Sequence, residues 1–209
     1  MKSMLYNLLV LCCFIGHSQN ELKTITPEDY NLWSTLSHEN ISADGNWFTY
    51  KLTYTSADTI FVQNTKSKLK YPFPLAKEGI FSQNSGFFMV TDKAKATAIL
   101  NLKTGNLLRF SNTIRQQFFF DGQYAALLET GKELKIIELA TQKTHTFPKV
   151  IDYTISKDGK IAILTKGRID IVMPNDSYKT KSIVIDLTGV FQKFLWCSDG
   201  TTCFFKTVH

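Results

Sequence analysis

The chain has 209 residues, 44% hydrophobic and 20% charged, with 16 Phe and 8 Tyr, which supplies a core, excludes a disordered or low-complexity chain and tilts the expectation toward strands. The formal charge of +6 comes from 24 Lys and Arg against 18 Asp and Glu. These cations are scattered, many of them at turns, whereas a nucleic-acid surface needs them gathered in a patch or stripe, so they read as lysines that solvate turns and blunt strand edges.

The first element in chain order reads as an export signal. Met1-Lys2-Ser3 precedes an apolar run from Met4 to Ile15 that only Asn7 interrupts, and Gly16-His17-Ser18 supplies small residues for a cut after Ser18. A basic start, a greasy middle and small residues in that order are the features of a secretory signal peptide. The run covers 12 residues, too few for a membrane span of about 20. A buried N-terminal helix is the competing reading. No later segment is long and apolar enough to cross a membrane. The mature chain is therefore expected to be exported, periplasmic or extracellular, without a membrane span. The expected division is 1-18 signal peptide, 19-40 lead with a short helix, and 41-209 partial propeller.

The lead should hold one helix from about Pro27 to Leu36. Thr26 can cap it, Pro27 suits its first position, and Glu28 and Asp29 favour its positive end. Tyr30 and Trp33, three apart, would share one face against the first sheet.

Beyond the lead the chain repeats itself. Five segments align on an x-Asp-Gly turn: Ile41-Ser-Ala-Asp-Gly-Asn-Trp-Phe-Thr-Tyr50, Phe81-Ser-Gln-Asn-Ser-Gly-Phe-Phe-Met-Val90, Phe118-Phe-Phe-Asp-Gly-Gln-Tyr-Ala-Ala-Leu127, Thr154-Ile-Ser-Lys-Asp-Gly-Lys-Ile-Ala-Ile-Leu164 and Trp196-Cys-Ser-Asp-Gly-Thr-Thr-Cys-Phe-Phe205. The acidic or amide position is Asp44, Asn84, Asp121, Asp158 and Asp199, at spacings of 40, 37, 37 and 41 residues. Asp caps its own turn, and Gly45, Gly122, Gly159 and Gly200 take the left-handed conformation of a hairpin turn. Ser85 replaces that glycine in the second copy, which predicts a looser or shifted turn there.

Each turn leads into a strand, a second apolar run such as Thr59-Ile-Phe-Val-Gln-Asn64, a polar turn and a short closing strand such as Leu107-Leu-Arg-Phe110. Four strands per period of about 40 residues are the signature of propeller blades. The predicted fold is all-β: a β-propeller segment of about four four-stranded blades plus part of a fifth, with one short N-terminal helix. A sandwich is the competing architecture. Phe118-Phe-Phe120 reads as a strand buried on both faces. The fourth unit carries an insertion, Pro174-Asn-Asp-Ser-Tyr-Lys-Thr-Lys181, read as a solvated loop before a strand from Ser182 to Leu187.

Thr26-Pro-Glu-Asp-Tyr-Asn-Leu-Trp33 followed by Ile41-Ser-Ala-Asp-Gly-Asn-Trp-Phe-Thr-Tyr50 resembles the start of secreted prolyl oligopeptidase-family serine peptidases. The resemblance implies a propeller that restricts peptide access to a C-terminal α/β-hydrolase domain. No catalytic residue carries over. The chain has no Gly-x-Ser-x-Gly elbow, and no Glu-Glu pair of the dipeptidyl type. His38, His145 and His209 are isolated from one another in sequence. The expectation is a non-catalytic segment whose hydrolase domain is missing from this chain, which reads as the N-terminal piece of a longer protein. The alternative is a stand-alone periplasmic propeller that binds a peptide or protein through its rim. A propeller enzyme of another class ranks lowest, because no metal or acid-base cluster is visible.

Cys197 and Cys203 could pair in an oxidising compartment. A three-residue loop Ser198-Asp199-Gly200 would set Cys203 opposite Leu195, leaving the two cysteines on a diagonal where Cα atoms lie about 7–8 Å apart. An intrachain disulfide then needs a register shift; two free thiols are the other reading. No metal and no cofactor is expected. Two Cys without a nearby His are an incomplete zinc set, and one Asp per turn is a turn former rather than a calcium loop.

Overall fold

The computed structural model describes residues 24–55, 57–184, 190–196 and 203–208. The predicted signal peptide lies outside them. Apolar alternations separated by tight turns can only be buried as hairpins, and here they form meanders of four antiparallel strands. Blade 1 holds β1 (Thr35–Ile41), β2 (Trp47–Thr53), β3 (Asp58–Asn64) and β4 (Lys70–Pro74). Blade 2 holds β5 (Ala76–Phe81), β6 (Phe87–Asp92), β7 (Thr97–Asn101) and β8 (Leu107–Phe110). Blade 3 holds β9 (Thr113–Phe119), β10 (Tyr124–Glu129), β11 (Leu134–Glu138) and β12 (Thr144–Phe147). Blade 4 holds β13 (Asp152–Ile155), β14 (Ile161–Thr165), β15 (Arg168–Met173) and β16 (Lys179–Val184). A two-stranded sheet of β17 (Val190–Trp196) and β18 (Cys203–Val208) follows. The architecture is a β-propeller segment of four four-stranded blades and part of a fifth.

Alternation of side chains along each strand assigns every interface. On β6, Phe88 and Val90 face blade 1 and Met89 faces blade 3. On β10, Ala125 and Leu127 face blade 2, whereas Tyr124, Ala126 and Leu128 face blade 4. On β14, Ile161 and Ile163 face blade 3, and Ala162 and Leu164 meet Trp196 of the fifth sheet. The strands of the inner blades are thus apolar at successive positions because both faces are covered. Each fully buried Leu, Ile or Phe contributes roughly 1.5–3 kcal/mol, against about 0–1 kcal/mol for an exposed ion pair. Packing between sheets therefore holds the stack. Phe118 and Phe119 are buried on opposite faces of β9, one against blade 2 and one against blade 4, as a doubly covered strand requires.

Three local expectations are corrected. The N-terminal helix is a 3-10 turn, Pro27–Leu32, that stops short of Leu36. Trp33 is already extended, and Thr35 begins the pairing of β1 with β2, so sheet hydrogen bonds win over further helical turns. Tyr30 and Trp33 do meet, with ring centroids 4.7 Å apart, but both remain more than half exposed. The insertion in blade 4 is solvated along most of its length, with only Pro174 and Tyr178 drawn inward, but it is not an irregular loop. Pro174–Asp176 make a 3-10 turn, Ser177 and Tyr178 take left-handed backbone, and β16 starts at Lys179 rather than Ser182. Tyr178 stacks on His145 of β12, so the insertion is tied to blade 3 through that ring. In the last hairpin Cys203 pairs with Trp196 instead of Leu195. Cys197 lies outside the described residues.

Candidate functional site

The described turn residues of blades 1 to 4 gather along one edge of the arc, where the first strand of each blade passes to the second. Asp44 accepts the Ser42 hydroxyl at 2.6 Å, the Asn46 N–H at 3.1 Å and the Asn46 amide at 2.7 Å. These donors, the Ser42 hydroxyl first, hold its carboxyl down at about 2. Asn84 repeats the pattern, accepting the Ser82 hydroxyl at 2.7 Å and the Gly86 N–H at 3.0 Å. Asp158 accepts the Ser156 hydroxyl at 2.5 Å and pairs with Lys160 at 2.7 Å. Lys160, then Ser156, lower its carboxyl below the ordinary range.

The serine of each turn was visible in the aligned copies, but its role was not read from them. Ser42, Ser82 and Ser156 are buried. Each hydroxyl also accepts the backbone N–H across the turn, from Trp47, Phe87 and Lys160 respectively. The proton of each hydroxyl is committed to an oxygen two residues on, which orients it for the turn rather than for nucleophilic attack.

Ser85 does not loosen its turn. It adopts φ 56° and its N–H reaches Ser82 O at 2.9 Å, the same bond that Gly45 makes to Ser42 O. Its hydroxyl accepts the Asp44 N–H from blade 1 at 3.1 Å, an inter-blade bond that offsets the left-handed strain. The turns that depart are the third and fourth. In blade 3 Phe119 stands in the serine position, and Phe120, Asp121 and Gly122 are all left-handed. In blade 4 the Ser156 N–H bonds Lys160 O, one residue nearer than the corresponding Ser42 to Trp47 bond. Asn84 donates to Gly122 O at 3.0 Å, so adjacent turns are chained edge to edge. A Cβ on Gly122 would stand 2.8 Å from Ser82 Cβ. Asp199, Gly200 and Cys197 lie outside the described residues, so neither the fifth turn nor a Cys197–Cys203 bond is described.

The first strand of each inner blade is tied to a neighbouring blade by polar side chains. Asn40 of β1 donates to Gly79 O of β5 at 3.3 Å, and Gln116 of β9 donates to the Thr91 hydroxyl at 2.7 Å. Arg115 of β9 pairs with Asp152 at 2.7 Å, donates to Tyr153 O and lies 3.8 Å over the Tyr153 ring. Burial pushes the Tyr153 hydroxyl up, and that hydroxyl, Arg115 Nε and Thr113 Oγ1 find no hydrogen-bond partner among the described residues. Among the described residues no three His, Cys, Asp or Glu side chains converge as metal ligands, and no helix is long and apolar enough to cross a membrane. The arrangement is suited to holding shape and presenting surface. Ser42, Ser82, Ser156, Asp44 and Asp158 are engaged in turns, Asp152 in an ion pair and His145 in stacking.

The opposite edge carries a second recurrence that the Asp-Gly alignment passed over. Leu75, Asn112 and Lys149, spaced by 37 residues, are left-handed where one blade hands over to the next. Just before them Phe73, Phe110 and Phe147 recur at the same spacing, each packed toward the following blade. Their interval was legible, but a lone Phe or Lys carries no turn signal.

No protein-family model matches the chain, and no curated protein matches it. Among solved structures, the β-propeller domain of Cps50 (Swd1) from Myceliophteria thermophila is 10% identical, with a TM-score of 0.47 over 84% of this chain and 64% of that one. A putative 6-phosphogluconolactonase from Bacteroides fragilis is 13% identical, with a TM-score of 0.40 over 78% of this chain and 59% of that one. The β-propeller domain of the Trilobed protease from Pyrococcus furiosus, described as having an open velcro topology, is 15% identical, with a TM-score of 0.46 over 77% of this chain and 60% of that one. The chain spans less than two thirds of each. The propeller assignment rests on the chain's own repeating sheets.

Proposed function

We propose that this chain is the non-catalytic propeller region of an exported prolyl oligopeptidase-like peptidase, whose role in the whole protein is to gate peptide access to a hydrolase domain. The observation that carries the reading is the back of blade 1. Phe48 and Tyr50 stand where Phe88 and Val90 stand in blade 2 and Ala125 and Leu127 in blade 3. In those blades the preceding sheet covers the pair, while here Phe48 and Tyr50 stay partly open beside an exposed Leu36. Such a face suits a wheel with further blades, and the sequence resemblance over residues 26–64 supplies the family. Export follows from the residues before Gln19.

The decisive test is the reading frame downstream of His209 in the source transcript. A frame that continues through more blades to a Gly-x-Ser-x-Gly segment supports the peptidase reading. A stop codon at that point, together with peptide binding by the isolated chain, favours the free-standing propeller. Hydrolysis of peptides by the purified chain alone overturns the non-catalytic assignment.

A further inference from the structure

Between blades 3 and 4, at the edge opposite the Asp-Gly turns, the sheets part around a crevice of about 580 Å³. Its floor is Phe147 and Pro148 at the end of β12 together with Ile163 of β14, and its rim carries Lys149, Lys166 and Arg168. The same crevice exists between blades 1 and 2, where Phe73 and Pro74 end β4 and face Val90 and Ala98. There it holds only about 120 Å³ and carries one charge of each sign, Asp92 and Arg109. The two Phe-Pro pairs are 74 residues apart, two repeats of 37.

The comparison isolates what the later interface changed. Ala98 is the cross-strand partner of Val90, and the partner of Ile163 is Asp170. A carboxylate only 8% exposed thus occupies the position of a small apolar residue on a packed face. An unpaired charge there is costly. Asp170 is satisfied by the Ser182 hydroxyl at 2.6 Å on one oxygen and by Arg168 Nη2 at 2.8 Å on the other. Its effect is to fix Arg168, whose side chain is still half exposed and keeps further N–H donors of its planar fork for a ligand. Lys149 and Lys166 are exposed, and among the described residues neither is ion-paired. Lys149 sits at the left-handed handover position held by Leu75 and Asn112. The backbone there is dictated by the connection, and the cation is peculiar to this interface.

We propose that this crevice binds a carboxylate joined to an apolar group, the chemistry of the C-terminal end of a short peptide. The carboxylate meets the positioned fork of Arg168 with Lys149 and Lys166 beside it, and the apolar side chain rests on Phe147 and Pro148, behind which Ile163 is buried. A bare inorganic anion would leave that floor unused. The site goes beyond the gating role and stands whether or not a hydrolase domain follows.

The test is calorimetric titration of the full chain with the tripeptide Ala-Ala-Phe as the free acid, as the C-terminal amide, and with inorganic phosphate. The free acid is expected to bind at least about tenfold more tightly than the amide or phosphate. Lys149→Gln combined with Lys166→Gln changes only exposed side chains; it is expected to keep the melting temperature and weaken the acid about tenfold. Arg168→Lys, which keeps the charge and loses the fork, should weaken it as well. Equal binding of acid and amide, phosphate as tight as the acid, unchanged binding in the double variant, or no binding of the acid would each overturn the proposal.

Discussion

The back of blade 1 and the back of blade 3 are built from the same repeat positions and meet different surroundings. In blade 3 Ala125 and Leu127 are fully buried under blade 2. In blade 1 no sheet among the described residues packs over the corresponding Phe48 and Tyr50; they stack on each other with centroids 5.8 Å apart, and Tyr50 stacks on Phe61 at 5.1 Å. Lys70 places its ammonium 4.8 Å above the Phe61 ring. Where a neighbouring sheet covers the face, small and branched side chains interdigitate. Where none does, large rings cover one another and a lysine stem lies over them. The burial of a strand in this fold is a property of its neighbours as much as of its own residues.

The largest effect that would sharpen this contrast comes from the packed side. Ile136→Ala, at a fully buried position between blades 3 and 4, should cost about 3–4 kcal/mol, read as a lower urea midpoint. Phe48→Ala on the open face should cost only about 1 kcal/mol. Equal losses would break the contrast.

The turns repeat the lesson on a smaller scale. Gly122 has φ 76°, and a Cβ there would meet Ser82 and Asn84 of blade 2 at 2.8 and 2.9 Å. Gly45 has φ 69° with nothing within 4 Å of the added atom. Gly122→Ala should therefore cost about 2–3 kcal/mol, from conformation and collision together, and Gly45→Ala about 1 kcal/mol from conformation alone. Thermal melts of the two variants decide it. Next in size is Ser156→Ala, which leaves the Lys160 N–H without its side-chain acceptor inside a short turn and should cost about 1–2 kcal/mol.

The smallest effect is electrostatic. The Asp44 carboxyl is held at about 2, below its ordinary value, so the folded state binds its proton less readily than the unfolded chain. Its contribution is complete above the ordinary carboxylate range and is lost as pH falls toward 2. Asp44 is exposed, which keeps the contribution small. Asp44→Asn should flatten the acid limb of the stability curve while leaving neutral stability nearly unchanged. An acid limb identical to that of the unsubstituted protein would show that the Ser42 and Asn46 bonds do not act through charge.

Much of this was legible in the residues. The spacing of Asp44, Asn84, Asp121 and Asp158 located the blades, because an Asx turn needs only its own neighbours to form. The same locality made Pro27 and Glu28 look like the start of a longer helix; what stopped it at Leu32 was β1 pairing with β2. Ser85 looked like a defect until the Asp44 N–H from the preceding blade was in view. Asp170 reads as one more strand carboxylate in the sequence. Only the cross-strand pairing with Ile163 places it on a packed face.

The sequence by itself determined the strands, their turns and their grouping into similar four-stranded units, because hairpin geometry and side-chain alternation are set within a few residues. Tertiary structure alone decided which apolar face is covered, which left-handed residue is supported across a blade boundary, and where Lys149, Lys166 and Arg168 come together. Those outcomes depend on contacts between residues 40 or more positions apart, such as Asp44 with Ser85, and packing energy, unlike turn propensity, exists only once both partners are in place.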